Sequence, residues 1–173
     1  YDYHINEWNK IVVVEKAVRN VTVQGVPING KLDKLEFTGK QVNVVDYKTG
    51  KYENAKKKLV PPNEKEPNGG DYWRQAVFYK ILLDNDRTND WQAVSTEFDF
   101  IEPVNEQYKT EKVEVNAADI TTVTQQIVTT WQKIQNKEFK TGCGKPDCDW
   151  CNFVKTNNLA IALHEIEEEE TEV

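Results

Sequence analysis

Asp46 and Lys48 stand two residues apart near the end of an apolar run, Val42-Asn43-Val44-Val45-Asp46-Tyr47-Lys48-Thr49-Gly50. Side chains alternate along a strand, so both point to one face, about 7 Å apart along the backbone. A carboxylate at the end of a buried strand loses much of its water. An unpaired buried charge is costly, so Asp46 needs a cation. The preceding run, Gly30-Lys31-Leu32-Asp33-Lys34-Leu35, supplies a second acid. If the two runs pair through a turn at Thr38-Gly39-Lys40, Asp33 and Asp46 come close to opposite each other, a residue or so out of register. Adjacent carboxylates repel unless they share a proton or a metal. A hard divalent cation with oxygen ligands, Mg²⁺ or Mn²⁺, resolves that conflict. The plainer alternative is a salt bridge joining Asp46 or Asp33 to Lys48 or Lys34. An ordinary strand favours that alternative, but an acid-x-Lys at a buried strand end after a Gly-x-x-Asp strand is hard to explain by stability alone.

A second constellation is Cys143-x₄-Cys148-x₂-Cys151, with turn-forming Gly and Pro between the thiols. That spacing suits zinc or an iron–sulfur cluster. A disulfide frame is not expected of an intracellular chain. His164 could complete a zinc site, and thiols that merely pack are the remaining alternative.

The elements that must position these residues follow from pattern. Ile11 to Val23, Ile28 to Phe37 and Gln41 to Thr49 read as strands, rich in β-branched residues. Their short connections favour an antiparallel meander. Gly50 to Gly70 is polar and too long for a plain connector, so it is either a functional loop or disordered. Asp71 is expected to cap a largely buried helix over Tyr72 to Leu83. Trp91 to Ile101 and Tyr108 to Val115 read as further strands. Asn116, with Asp119 three residues on, is expected to cap a helix whose stripe is Ile120, Val123, Ile127, Trp131 and Ile134. The order β-β-β-α-β-β-α predicts an α/β (α+β) fold, one mixed sheet with flanking helices.

Composition bounds the partners. The 173 residues carry a net charge of −7, which argues weakly against nucleic acid. Six Glu lie in Glu165 to Val173, however, and the rest of the chain is close to neutral. Lys48, Lys51, Lys56, Lys57, Lys58 and Lys65 gather in one stretch, as a positive patch or as a solvated loop. No apolar run approaches membrane-spanning length, so a cytoplasmic protein without membrane contact is expected.

Gly30-Lys31-Leu32-Asp33 followed by Val45-Asp46-Tyr47-Lys48-Thr49-Gly50 resembles the RecB-type branch of the PD-(D/E)XK nuclease superfamily. That family also has a Gln-x-x-x-Tyr on the helix after the strands, matched here by Gln75 and Tyr79. The spacing of four sets both on one helix face. Core packing is the alternative for Tyr79. Gln75, amid Trp, Val, Phe and Ile, wants a polar partner. The resemblance covers Val12 to Leu83 and implies a restriction-endonuclease-like core in which Asp33 and Asp46 bind Mg²⁺ or Mn²⁺ and Lys48 assists the attacking water. Metal would lower the pKa of bound water and stabilise charge on the phosphate.

The activity implied is a Mg²⁺-dependent deoxyribonuclease, of exonuclease rather than endonuclease type. DNA is the implied substrate, and the helicase domains of the same DNA-repair polypeptide are the implied partners. A catalytically inactive DNA-binding or scaffolding domain on the same fold is the competing expectation. RecB-type nucleases commonly add a His ligand on a helix before the strands. Only His4 lies upstream, so either that N-terminal helix is missing, the favoured expectation, or His4 substitutes for its ligand. Glu15 is a weaker candidate near the site, with a solvent-facing strand residue as its alternative. Some of these nucleases carry a 4Fe-4S staple, which would use Cys143, Cys148 and Cys151 plus a Cys outside this chain. With no Met, and with Tyr1-Asp2-Tyr3-His4 at its start, the chain reads as cut from a longer protein, which leaves the activity of the fragment alone open. Its expected organisation is a truncated leader over 1–10, a nuclease-like domain with its Cys knot over 11–155, and an acidic tail over 156–173.

Overall fold

The structure is a computed structural model that describes residues 11–138 and 147–156. Strands β1 (Val12–Val23), β2 (Val26–Thr38) and β3 (Gln41–Lys48) form the expected antiparallel meander. Two-residue turns join them. Gln24 and Gly25 both take positive φ, and Gly39 does so in the second turn. Such turns match the right-handed twist of paired strands. Strands β4 (Gln92–Val104) and β5 (Gln107–Val113) complete a five-stranded sheet in the order β1-β2-β3-β4-β5. The β3–β4 ladder is parallel and the others are antiparallel, so the sheet is mixed. β3 is central, as its apolar residues on both faces imply.

A parallel pair needs a crossover. Here it is helix α2 (Asp71–Asp84), which follows the short helix α1 (Ala55–Lys58). α2 buries Trp73, Ala76, Val77, Tyr79, Ile81, Leu82 and Leu83. Its approach to β2 is close: a Cβ at Gly30 would lie 2.7 Å from Leu82 Cδ2. Gly70 rather than Asp71 occupies the N-cap, and no side chain caps the helix there. Asp71 is instead the first helical residue, where its charge suits the helix dipole, and it pairs with Arg74 at 2.6 Å.

The polar segment 50–70 is folded onto this core. A 3₁₀ turn at Tyr52–Asn54 leads into α1, and Ala55 is buried with Ala76, Phe98 and Phe100. Asn63 Oδ1 accepts from the backbone N–H of Lys65 and Glu66, and the Gly70 N–H donates to the Val60 carbonyl at 2.8 Å. Gly70 has no room for a side chain, since a Cβ would meet the Lys58 carbonyl.

The chain divides into two compact units at Thr129/Thr130. Helix α3 (Ala117–Gln135) begins in the first. Asn116 Oδ1 accepts from the N–H groups of Ala118 and Asp119, and Asp119 Oδ2 accepts from the Asn116 N–H, which is the expected reciprocal box. Along the stripe Val123 is buried, while Ile120, Ile127 and Trp131 are half-buried and Ile134 is exposed. The second unit contains helix α4 (Asp149–Thr156), which exposes Trp150 and Phe153. Among the described residues no helix is long and apolar enough to cross a membrane.

Candidate active site

The β2–β3 ladder ends at Lys34↔Val45. Continuing that register by one residue sets Asp33 beside Asp46, so the offset expected from counting outwards disappears once the turn is Gly39-Lys40. Asp33 Oδ2 accepts from the Tyr47 N–H at 3.1 Å. Asp46 is 4% exposed and faces α2. Burial of a carboxylate to this degree demands compensating donors. Three are present. Lys48 Nζ lies 2.6 Å from Oδ2, the Tyr79 hydroxyl donates to Oδ1 at 2.6 Å, and Gln75 Nε2 donates to Oδ1 at 3.0 Å.

Gln75 ties the cluster together. Its Oε1 accepts from Lys48 Nζ at 2.7 Å while its Nε2 serves Asp46 and the Tyr79 oxygen. An ammonium has no acceptor, so this partner fixes which end of the amide is oxygen. Burial pushes the Tyr79 hydroxyl well above the ordinary tyrosine range, and the Asp46 carboxylate it donates to reinforces the shift. The Asp33 charge adds a smaller push in the same direction. Tyr79 therefore remains a donor at neutral pH. The Lys48 ammonium also lies over two rings, 4.7 Å from the centroid of Tyr72 and 5.1 Å from that of Phe98.

The structure thus brings Asp46, Lys48, Gln75 and Tyr79 into one hydrogen-bonded cluster, with Asp33 at its edge. Glu15 does not join it. It sits in a positive-φ kink of β1, is exposed, and pairs with Lys31. His4, Cys143 and His164 lie outside the described residues, while Cys148 and Cys151 are half-buried around the start of α4. Tyr72 was not singled out by sequence pattern, although Tyr72-x-x-Gln75-x-x-x-Tyr79 has the spacing of a single helix face.

Among the described residues no three His, Cys, Asp or Glu side chains form a metal cage. Mg²⁺ does not require one, because it takes one or two carboxylates and fills the rest of its octahedron with water and substrate phosphate. Asp33 and Asp46 fit that role. Asp46 has three of its roughly four acceptor positions filled, leaving one on Oδ2. Asp33 has Oδ1 to offer beside the oxygen bonded to Tyr47. An iron–sulfur cluster is a different case. It takes four thiolates, and this chain has three Cys, so its own residues do not complete one.

The family model for the PD-(D/E)XK nuclease superfamily matches residues 2–156. No curated protein matches the chain. Among solved structures, the crystal structure of SSO0001 is similar at 14% identity and a TM-score of 0.39, over 69% of this chain and 50% of that one. The chain therefore spans half the length of that protein.

Proposed function

Because the chain belongs to the PD-(D/E)XK nuclease superfamily, we propose that it is a metal-dependent nuclease that hydrolyses DNA phosphodiester bonds around Asp33, Asp46 and Lys48. The observation that carries this is the convergence of Lys48, Gln75 and Tyr79 on one buried carboxylate. Asp33 and Asp46 would hold Mg²⁺ or Mn²⁺. When bound, the ion would supply an activated water and charge stabilisation at the phosphate. Lys48 orients the attacking water and offsets negative charge as the phosphorus–oxygen bond breaks. Gln75 holds the Lys48 ammonium in place through Oε1, and Tyr79 fixes the carboxylate plane of Asp46. These two act by positioning.

The placement within the RecB-type branch rests on Gln75 and Tyr79, spaced as that branch has them. Exonuclease action, a role in DNA repair and helicase domains in the same polypeptide follow from that placement and belong to the proposal. So does completion of a 4Fe-4S cluster on Cys143, Cys148 and Cys151 by an external Cys.

The test is cleavage of linear and circular DNA, single-stranded and duplex, by the full-length protein in Mg²⁺ or Mn²⁺. Cleavage is expected with metal, and none in EDTA or with Asp46→Asn. Cutting of linear but not circular substrates would mark an exonuclease. No cleavage of any substrate by the wild type would overturn the reading in favour of an inactive scaffold.

A further inference from the structure

The ring of Tyr72 carries two ammonium groups. Lys48 Nζ is 4.7 Å from its centroid and Lys58 Nζ is 4.9 Å from it. Like charges near one ring repel, and a countercharge relieves that repulsion. Lys48 has Asp46. Among the described residues no carboxylate pairs with Lys58. The position of Lys58 is nonetheless well determined. Its backbone is packed against Gly70, where a Cβ would come within 2.3 Å of the Lys58 carbonyl oxygen. Ala55, on the same short helix, is buried in the core beside Phe98 and Phe100. Tyr72 itself stacks on Phe98 at 5.1 Å. The neighbouring Lys56 and Lys57 are exposed, and among the described residues neither ammonium lies over a ring.

We propose that Lys58 is a phosphate-contacting residue of the same centre, held by the Tyr72 ring so that it meets a DNA phosphate next to the one that Lys48 serves. A cation seated on an aromatic face and left without a carboxylate is placed for an external anion. A ring is a support that does not neutralise it. On this account Tyr72 is a positioning residue, and α1 contributes one aimed charge rather than a diffuse basic patch. The proposal rests on the nuclease reading above.

The experiment measures binding of a single-stranded oligonucleotide to the full-length protein by anisotropy, in Ca²⁺ and across a salt series. Lys58→Ala should weaken binding and reduce the slope of log K against log salt by about 0.7, the value of one lost single-strand phosphate contact. Lys58→Arg should retain the slope. Lys57→Ala should change it less than Lys58→Ala does. Tyr72→Leu, which removes the ring, should lower the slope towards the Lys58→Ala value. Equal slopes for Lys58→Ala and wild type, or equal losses in Lys57→Ala and Lys58→Ala, would overturn the assignment while leaving the nuclease reading intact. Failure of the wild type to bind or cut DNA would remove both.

Discussion

Two lysine–acid pairs with the same i,i+2 spacing sit on neighbouring strands of this sheet. Asp46 and Lys48 approach to 2.6 Å on β3, and Lys34 and Glu36 to 2.7 Å on β2. Burial of the lysines does not separate them, since their side chains are 15% and 14% exposed, although the Asp46 side chain is buried more deeply than that of Glu36, at 6% against 20%. Their surroundings do. Glu36 joins a cross-strand row in which the Asn43 amide donates to it and the Ser95 hydroxyl donates to Asn43. Every member of that row is a sheet residue. Asp46 instead receives two side chains from the crossover helix, and its register neighbour Asp33 is another acid. An i,i+2 spacing of acid and lysine on a strand therefore identifies an ion pair and no more. The helix donors and the second carboxylate are what set the Asp46 pair apart and underlie the proposal that it takes a cation.

Exchanging the two pairs' roles is the strongest way to break this contrast. Lys48→Ala is expected to lower DNA cleavage about 10²–10³-fold, as loss of a charge-stabilising donor does. Lys34→Ala should leave cleavage near wild type and show its effect in urea unfolding. A large cleavage defect in Lys34→Ala would abolish the distinction.

A smaller effect is expected from the positioning residues. Gln75→Ala and Tyr79→Phe should each reduce cleavage about 10–100-fold, the range for groups that orient a metal ligand. Loss of Gln75 should raise the metal concentration needed for half-maximal rate, read from a Mg²⁺ titration. An unchanged titration would leave Gln75 as packing alone.

The smallest effect concerns Glu97. Burial raises its pKa, and the Glu36 carboxylate adds to the shift while Lys112 only partly opposes it. A raised carboxyl pKa means that folding favours the protonated form. The stability this contributes is fully present below the ordinary Glu pKa of 4.5 and is lost as pH rises through the higher folded value. Glu97→Gln should therefore raise the melting temperature at neutral pH and have little effect in acid. Lys34, on the same side of the sheet, follows a different balance. Burial pulls its pKa down, but Glu36 and, less strongly, Tyr47 together more than offset this and hold it above the ordinary lysine value.

The meander was legible because β-branched alternation and two-residue turns are local signals. The parallel pairing of β3 with β4 was not, because it depends on a crossover whose geometry no short window contains. Segment 50–70 left two expectations open, since its order comes from Ala55 in the core and from Gly70 against Lys58. Small residues used in this way leave almost no compositional trace. Asp71 was expected as a cap because acids favour that position, yet the chain turns one residue earlier, at Gly70. Asp33, Asp46, Lys48, Gln75 and Tyr79 could be named from their motifs, and the structure gathers them. Tyr72 and the specific placement of Lys58 could not, because an aromatic at the start of a buried helix reads as core and one lysine among many reads as solvated.

The parallel ladder also bears on the order of assembly. β1 to β3 close through turns of two residues, whereas Asn43 and Ser95 meet across a separation of 52 residues. Pairing at that distance pays its loop entropy first and is slow. Asp33 and Asp46 are thus brought together early, as neighbouring like charges, before the helix that carries Gln75 and Tyr79 has docked. Refolding should then be sensitive to ionic strength, which screens that repulsion. The contacts that complete the cluster, from Gln75 and Tyr79 to Asp46, span 29 and 33 residues and are expected to form only after the two-residue turns have closed.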